Sequence, residues 1–358
     1  MRVLCLTRYE RLGSSSRVRF YQYLPYLRKQ GLELVTAPFF TDEYVRNLYS
    51  GRRASLKKVL GAYLQRLSVL RREKRFDLLW VEKELFPWLP AGIENLFQGS
   101  KIPYVVDYDD AVFHRYDMHP SAFVRTFLGH KIDRVMRRAD LVIAGNDYIA
   151  NRAVKAGARK VEQLPSVVDV DQYAITEPGL DPVFRIGWIG SPVTAPYLDD
   201  LREVLATLSQ ESTVKLVLIG AGTVQPFDNV PGEALPWSEE IELRMSQKFD
   251  VGIMPLLDGP FERGKCGYKL IQYMASALPV IASPVGVNRR IVEPEVNGYL
   301  AHSSADWLEA LRTLRDDVQK RKAMGQAGRR KAEQMYNLQV TAPRLFHLLS
   351  NLTNPRTS

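Results

Sequence analysis

The sequence predicts an α/β protein of two doubly wound domains in tandem, each a parallel sheet covered by helices on both faces. Three observations lead there. At 358 residues the chain exceeds one ordinary core and suits two domains of roughly 150–200 residues. Short β-rich runs alternate with longer helical patterns. That alternation stops at the turn-rich Glu177-Pro178-Gly179-Leu180-Asp181-Pro182 and then restarts.

In the first half the strand candidates are residues 3–7, 32–37, 78–81, 103–107, 141–144 and 161–164, with helical stretches between them. After the break come strands at 184–189 and 214–219, separated by a helix over 197–208. Strands at 251–254 and 280–282 flank a helix over 267–277, and a last strand covers 298–301. Two helices finish the chain, one over 304–336 with an expected break and one over 340–352. The domains are thus 1–178, joined by the C-terminal helix 340–358, and 179–339. Doubly wound sheets place ligands at the carboxyl ends of their strands. The loops after Thr7, Asp107, Ala144, Ile189, Ile219, Met254 and Ala282 are therefore the site-forming loops.

Composition is that of a globular chain, 46% apolar and 25% charged. Cys5 and Cys266 form neither a disulfide framework nor a metal-ligand spacing, which suits a reducing cytosol. The start, Met1 to Thr7, meets Arg8 at once and reads as a buried strand, not a signal peptide. The uncharged stretch from Leu270 to Asn288 is long enough to raise a membrane span, but Gln272, Pro279, Pro284 and Gly286 interrupt it. The net charge of +9 is concentrated: nine Lys or Arg lie between Arg52 and Asp77 against Glu73 and Asp77. Leu56, Val59, Leu60, Tyr63, Leu64, Leu67 and Leu70 recur there at helical spacing. Two readings stay open for this basic amphipathic helix, a solvated face on a core-packed helix and docking on anionic lipid headgroups. Nucleic acid is set aside, because no basic-aromatic recognition motif accompanies the charge.

The chemistry concentrates between Phe261 and Ser283. There Arg263-Gly264-Lys265-Cys266-Gly267-Tyr268-Lys269 opens a helix that ends before an apolar strand. Free backbone N–H groups at Gly267, Tyr268 and Lys269, with the positive end of the helix dipole, form an anion seat. Lys265 and Lys269 lie within reach of one phosphate, with Arg263 as a further cation, and Gln272 is placed to bond ribose hydroxyls. A second Gly-Ser loop, Gly13-Ser14-Ser15-Ser16-Arg17, follows the first strand and reads either as an anion site or as a plain serine helix cap. Asp107-Tyr108-Asp109-Asp110 ends another strand. An acidic cluster there must be solvated, paired or used, and Asp109 or Asp110 is placed to orient an acceptor hydroxyl or take its proton. Its Asp-x-Asp spacing also matches a metal site, but no second feature of one follows. Asn146 and Asp147 read first as helix caps, and Cys266 as a packing residue.

The stretch ending Gln272-Tyr273-Met274-Ala275-Ser276-Ala277-Leu278-Pro279-Val280-Ile281-Ala282 resembles the C-terminal signature of GT-B glycosyltransferases, family 4 in particular. Further matches are Val285-Gly286-Val287-Asn288, Asn297-Gly298-Tyr299-Leu300, Phe249 to Pro255, Gly187-Trp188-Ile189-Gly190-Ser191 and Pro165 to Tyr173. The resemblance covers nearly the whole chain in order. It implies a GT-B fold, two Rossmann-like domains with parallel sheets facing a central cleft, and a retaining, metal-independent transferase without cofactor. The donor would be a UDP- or GDP-sugar and the acceptor a hydroxyl of a glycan or lipid-linked molecule. On this reading Gly13, Ser14, Arg17, Gly190, Ser191, Arg263, Gly267, Tyr268 and Gln272 hold the donor. Lys265, Lys269, Asp109 and Asp110 serve catalysis, Glu82, Asp107 and His114 face the acceptor, and no residue holds a metal. The protein is expected to be cytoplasmic, with peripheral contact at the inner face of an anionic membrane.

The chain departs from the family pattern where a Glu-x7-Glu pair is usual. Gly264 stands at the first acid and Gln272 at the second, with Glu262 two residues early. The loop Ser191 to Pro196 also lacks the family's cations. Two alternatives follow, a catalytically silent GT-B binding subunit and a GT-B nucleotide-sugar epimerase.

Overall fold

A computed structural model describes residues 1–52, 55–71, 75–95, 102–175 and 183–353. The expected linker at 177–182 lies outside them. The chain divides into two compact units. The first comprises Met1–Ser166, Arg263–Cys266 and Leu338–Ser358, the second Val167–Glu262 and Gly267–Asn337.

The first unit is built on six strands: β1 (Arg2–Leu6), β2 (Glu33–Thr36), β3 (Leu78–Glu82), β4 (Tyr104–Tyr108), β5 (Leu141–Ala144) and β6 (Val161–Gln163). They run parallel in the order β2-β1-β3-β4-β5-β6. Every residue of β3, β4 and β5 is buried. Such strands read as continuous apolar runs because helices cover both faces. Order reverses beside β1, so the ends of β1 and β3 flank the switch point where such sheets place ligands.

The second sheet contains β7 (Phe184–Ile189), β8 (Val214–Ile219), β9 (Gly232–Leu235), β10 (Val251–Met254), β11 (Val280–Ala282) and β12 (Gly298–Leu300). It is again parallel, in the order β12-β11-β10-β7-β8-β9. Strand β9 is absent from the sequence reading. Its Gly-Glu-Ala-Leu carries no β signal of its own, and its conformation is supplied by β8, with Leu216 opposite Gly232 and Ile219 opposite Leu235. Only glycine fits at 232, where a Cβ would stand 2.5 Å from the Leu216 carbonyl oxygen.

The expected break in the long C-terminal helix falls at Asp317. Helix Ser304–Asp316 begins with a capping box between Ser303 and Asp306, and Asp317 accepts from the Lys320 amide to start helix Val318–Met335. Helix Leu338–Thr353 belongs to the first unit, where the Thr341 hydroxyl lies 3.2 Å from that of Tyr23. Helix Leu56–Leu70 buries Ala62, Arg66 and Leu70 but leaves Leu56, Leu60 and Leu64 exposed. Among the described residues no helix is long and apolar enough to cross a membrane. Residues 270–288 form the end of a helix, β11 and a short helical turn instead.

Candidate functional site

At the strand ends of the first unit, buried charges are matched to one another. Arg19 Nε donates to Asp107 Oδ1 at 2.7 Å, with both side chains buried. Burial raises the Asp107 carboxyl to about 6, which Arg19 offsets only in part. Asp107 is thus a core ion-pair partner. Glu82 Oε2 accepts from the Arg8 amide at 2.7 Å and from Ser16 Oγ at 2.5 Å. This fastens the end of β1 and the helix that follows it to β3, so Glu82 too is committed, although its buried Oε1 has no hydrogen-bond partner. Glu84 accepts from Arg8 at 3.2 Å, from Tyr116 at 2.8 Å and from Lys131 at 2.6 Å. Burial alone would raise its pKa, but Lys131 and Arg8 outweigh that and lower it.

Asp109 and Asp110 share one cation. Lys83 Nζ lies 2.9 Å from a carboxylate oxygen of each, and its side chain is 4% exposed. Lys83 follows β3 with φ of 65°, a left-handed conformation costly for a residue with a Cβ. For Asp110, burial is outweighed by Lys83 and then Arg115, and its pKa falls to about 2. A carboxylate held low in this way is ionised and accepts hydrogen bonds near neutrality. The pairing of Lys83 with both aspartates has no signal in the sequence, because a lysine after a strand ordinarily points to solvent. Among the described residues no group of three or more His, Cys, Asp or Glu is placed to hold a metal ion.

The segment Arg263–Cys266 packs on this same unit. Asn146 uses both ends of its amide. Its Oδ1 caps helix Asp147–Lys155 by accepting from Ile149 N at 3.0 Å, and its Nδ2 donates to the carbonyls of Gly264 at 2.8 Å and Lys265 at 3.1 Å. The approach is close: a Cβ at Gly264 would stand 2.4 Å from Ala111 Cβ, and one at Gly145 2.3 Å from Cys266 Sγ. Gly264 therefore stands at the usual acid's position because no side chain fits there. Burial pushes the Cys266 thiol up to about 12, consistent with a packing residue. The charge of Lys265 acts on Asp110, and that of Arg263 on Tyr148.

Gly13 to Arg17 is less open than expected. No side chain caps helix Ser14–Ser16. Ser16, not Ser14, makes the tying bonds, and its Oγ also accepts from the Tyr9 amide at 2.9 Å. A Cβ at Gly13 would meet Tyr9 at 2.3 Å, and Arg17 is buried in a π-helical turn. His114 is occupied on both ring nitrogens, by Asp117 at 2.8 Å and Tyr148 at 2.9 Å.

In the second unit Gly267 precedes helix Tyr268–Ala275 with φ of 65°. A Cβ there would also meet Ile291 at 2.3 Å. In the first turn of that helix, Lys269 Nζ sits 4.2 Å from the ring centre of Trp188 and 3.4 Å from Thr194 Oγ1. Its ammonium therefore lies against the loop after β7. Gly190 lies close by, since a Cβ on it would approach Lys269 Nζ to 2.8 Å. Ser191 and Thr194 close that loop, the Ser191 amide donating to Thr194 Oγ1 at 3.2 Å. The cation absent from the sequence of this loop is thus brought to it by a later helix. Glu262, in the same unit, accepts from the Tyr197 hydroxyl at 2.5 Å.

Residues 183–317 match the family model described as glycosyl transferases group 1. The second unit carries a group 1 glycosyl transferase domain. No curated protein matches the chain in sequence. Among solved structures, sucrose-phosphate synthase from Thermosynechococcus elongatus aligns with a TM-score of 0.75 at 14% identity, over 99% of this chain and 100% of that one. HepE of Anabaena, in complex with UDP-glucose, gives 0.71 at 16% identity, over 98% and 100%. A UDP-forming trehalose-phosphate synthase from Burkholderia xenovorans gives 0.64 at 16%, over 98% of each chain. These likenesses establish the GT-B fold.

One expected residue of the glycosyl transferase domain is buried. Gln272 is 2% exposed, and its Nε2 donates to the Tyr173 hydroxyl at 3.4 Å. Tyr173 in turn donates to Glu242 at 3.1 Å, whose other oxygen accepts from Trp237 Nε1 at 2.8 Å. The amide thus faces a buried polar cluster. Tyr268 reaches the same cluster through Tyr173. Glu242 was missed because it sits among Glu239, Glu240 and Glu242, an acidic first helical turn that reads as ordinary dipole compensation.

Proposed function

We propose that the protein moves a sugar from a nucleoside diphosphate donor to a hydroxyl of a glycan or lipid-linked acceptor. The observation that carries this is Lys269, an ammonium in the first turn of helix Tyr268–Ala275 held against the loop Gly190–Thr194. Cleavage of the anomeric C–O bond builds negative charge on the leaving diphosphate. A fixed cation beside a helix N-terminus stabilises that charge as it develops, commonly the largest catalytic contribution. Uridine is the preferred base on this reading, supported by the crystallisation of HepE with UDP-glucose. Retention of anomeric configuration follows from the resemblance to family 4.

Asp109 and Asp110 are assigned to the acceptor hydroxyl. Paired with Lys83, they accept its hydrogen bond and fix its direction; as the acceptor oxygen bonds the anomeric carbon, its proton passes to the departing diphosphate oxygen. Lys83 also supports metal independence, because an ammonium 2.9 Å from both carboxylates occupies the place a cation would take between them. A thermal-shift series with UDP, GDP and their sugars, followed by donor turnover, tests the proposal. A UDP-dependent rise in melting temperature that Lys269→Ala abolishes supports it. An unchanged shift in that variant refutes the assignment of Lys269.

A further inference from the structure

The apolar stripe of helix Leu56–Leu70 is only half used by the core. Ala62, Arg66 and Leu70 face inward, whereas Leu56 is 86% exposed, Leu60 62% and Leu64 60%. Spaced by four, these leucines form one line along the helix surface. Exposed Lys57 adjoins the line, and exposed Arg71 continues it two turns beyond Leu64. Lys58, also exposed, pairs with Glu43 at 2.5 Å. Over residues 52–75 the sequence holds nine Lys or Arg and one acid, Glu73.

A second apolar group lies on the same unit. On helix Ala122–Leu128, Phe123 is 68% and Phe127 60% exposed, their ring centres 4.5 Å apart. Contacts run from one group to the other. Tyr63 of the leucine helix donates to the Pro87 carbonyl. The next residue, half-exposed Trp88, packs edge-on against Tyr116 and His119, at 5.3 and 5.7 Å. Arg125, between the two phenylalanines, donates to the His119 carbonyl at 2.6 Å.

We infer that this face of the first unit docks on an anionic lipid surface. The leucines and phenylalanines enter the boundary between headgroups and acyl chains, and the bordering cations meet headgroup phosphates. Charge decides between this occupant and a second copy of the chain. A twofold interface would set the same Lys57 and Arg71 patch against itself, with like charges facing, whereas anionic headgroups complement it. The inference extends the proposed lipid-linked acceptor without depending on it, since it rests on surface composition alone.

The test is flotation of the full-length protein with vesicles, in the absence of donor. One set is phosphatidylcholine alone, the other an equal mixture with phosphatidylglycerol. Binding to the mixed vesicles, weakened by salt, is expected. Leu60→Ser/Leu64→Ser and Phe123→Ser/Phe127→Ser should each lose about tenfold or more in partitioning. Lys57→Gln/Arg71→Gln should lose about fivefold per cation removed. Unchanged melting temperatures and UDP-induced shifts in these variants show that folding and donor binding survive, which separates this result from any failure of the transferase reading. Absence of wild-type binding, or equal binding by the variants, overturns the inference. So does a wild-type dimer that Leu60→Ser/Leu64→Ser splits while vesicle binding persists, which would assign the face to a second copy.

Discussion

The strand ends of the two sheets set their cations among different neighbours. In the first unit, Arg8, Arg19, Lys83 and Lys131 are each matched to a carboxylate, and the acids that look reactive in sequence are mostly taken up internally. In the second unit, Lys269 rests on an aromatic face and a threonine hydroxyl. An indole face holds a cation by roughly 0.5–2 kcal/mol, far less than a diphosphate group would. The difference teaches that a count of charged residues near a strand end does not locate an anion site. What matters is the kind of contact that already holds each charge. On the proposed reading, Lys269 at the start of a helix serves the donor, and Asp109 with Asp110 accepts a hydrogen bond from the acceptor.

The largest expected effect follows from that contrast. Lys269→Ala should lower donor turnover about 10²-fold or more, the size seen when one preorganised charge stabiliser is removed. Lys269→Arg should recover part of it, measured as kcat with a UDP-sugar. A variant at wild-type rate would erase the distinction between the two sheets.

Next is Lys83→Met, which leaves two part-buried carboxylates facing each other. A loss of about 2–3 kcal/mol in urea unfolding is expected. Adding Asp109→Asn and Asp110→Asn should restore much of it, because the uncompensated charge goes with them. No recovery would mean that Lys83 stabilises by packing and not by pairing.

A smaller effect is legible in pH. Asp110 falls from 3.8 to about 2 on folding, so the folded form holds its proton less tightly. Its contribution is full above pH of about 4 and disappears as pH falls toward 2. The stability gap between wild type and Asp110→Asn should therefore narrow over that window by about 1–2 kcal/mol. A gap that stays constant would contradict the pairing. Smallest is Gly267→Ala, expected to cost about 1–2 kcal/mol through its positive φ and the contact with Ile291. An unchanged melting curve would show that the turn before Lys269 relaxes freely.

Much of the fold was open to reading from the sequence. Eleven strands were expected, and each has a counterpart at or within a few residues of its expected place. The exception, β9, has a conformation imposed by its neighbour and not by its own residues. Asn146 as a helix cap and Cys266 as a packing residue were also legible, because both rest on local chemistry. The surroundings of Asp107, His114 and Gln272 depend on the fold. Their contacts were not legible, because each has a partner far off in sequence or across a turn: Arg19, Tyr148 and Tyr173.

By itself the sequence determined the strand and helix pattern and the doubled architecture. These follow from hydrophobic period and turn chemistry, both of which act over a few residues. Only the tertiary structure decided which charges are spoken for, that Lys83 serves two aspartates and that three leucines of one helix remain in water. Electrostatic pairing and burial depend on what the fold brings within a few ångströms, and chain order does not carry that information.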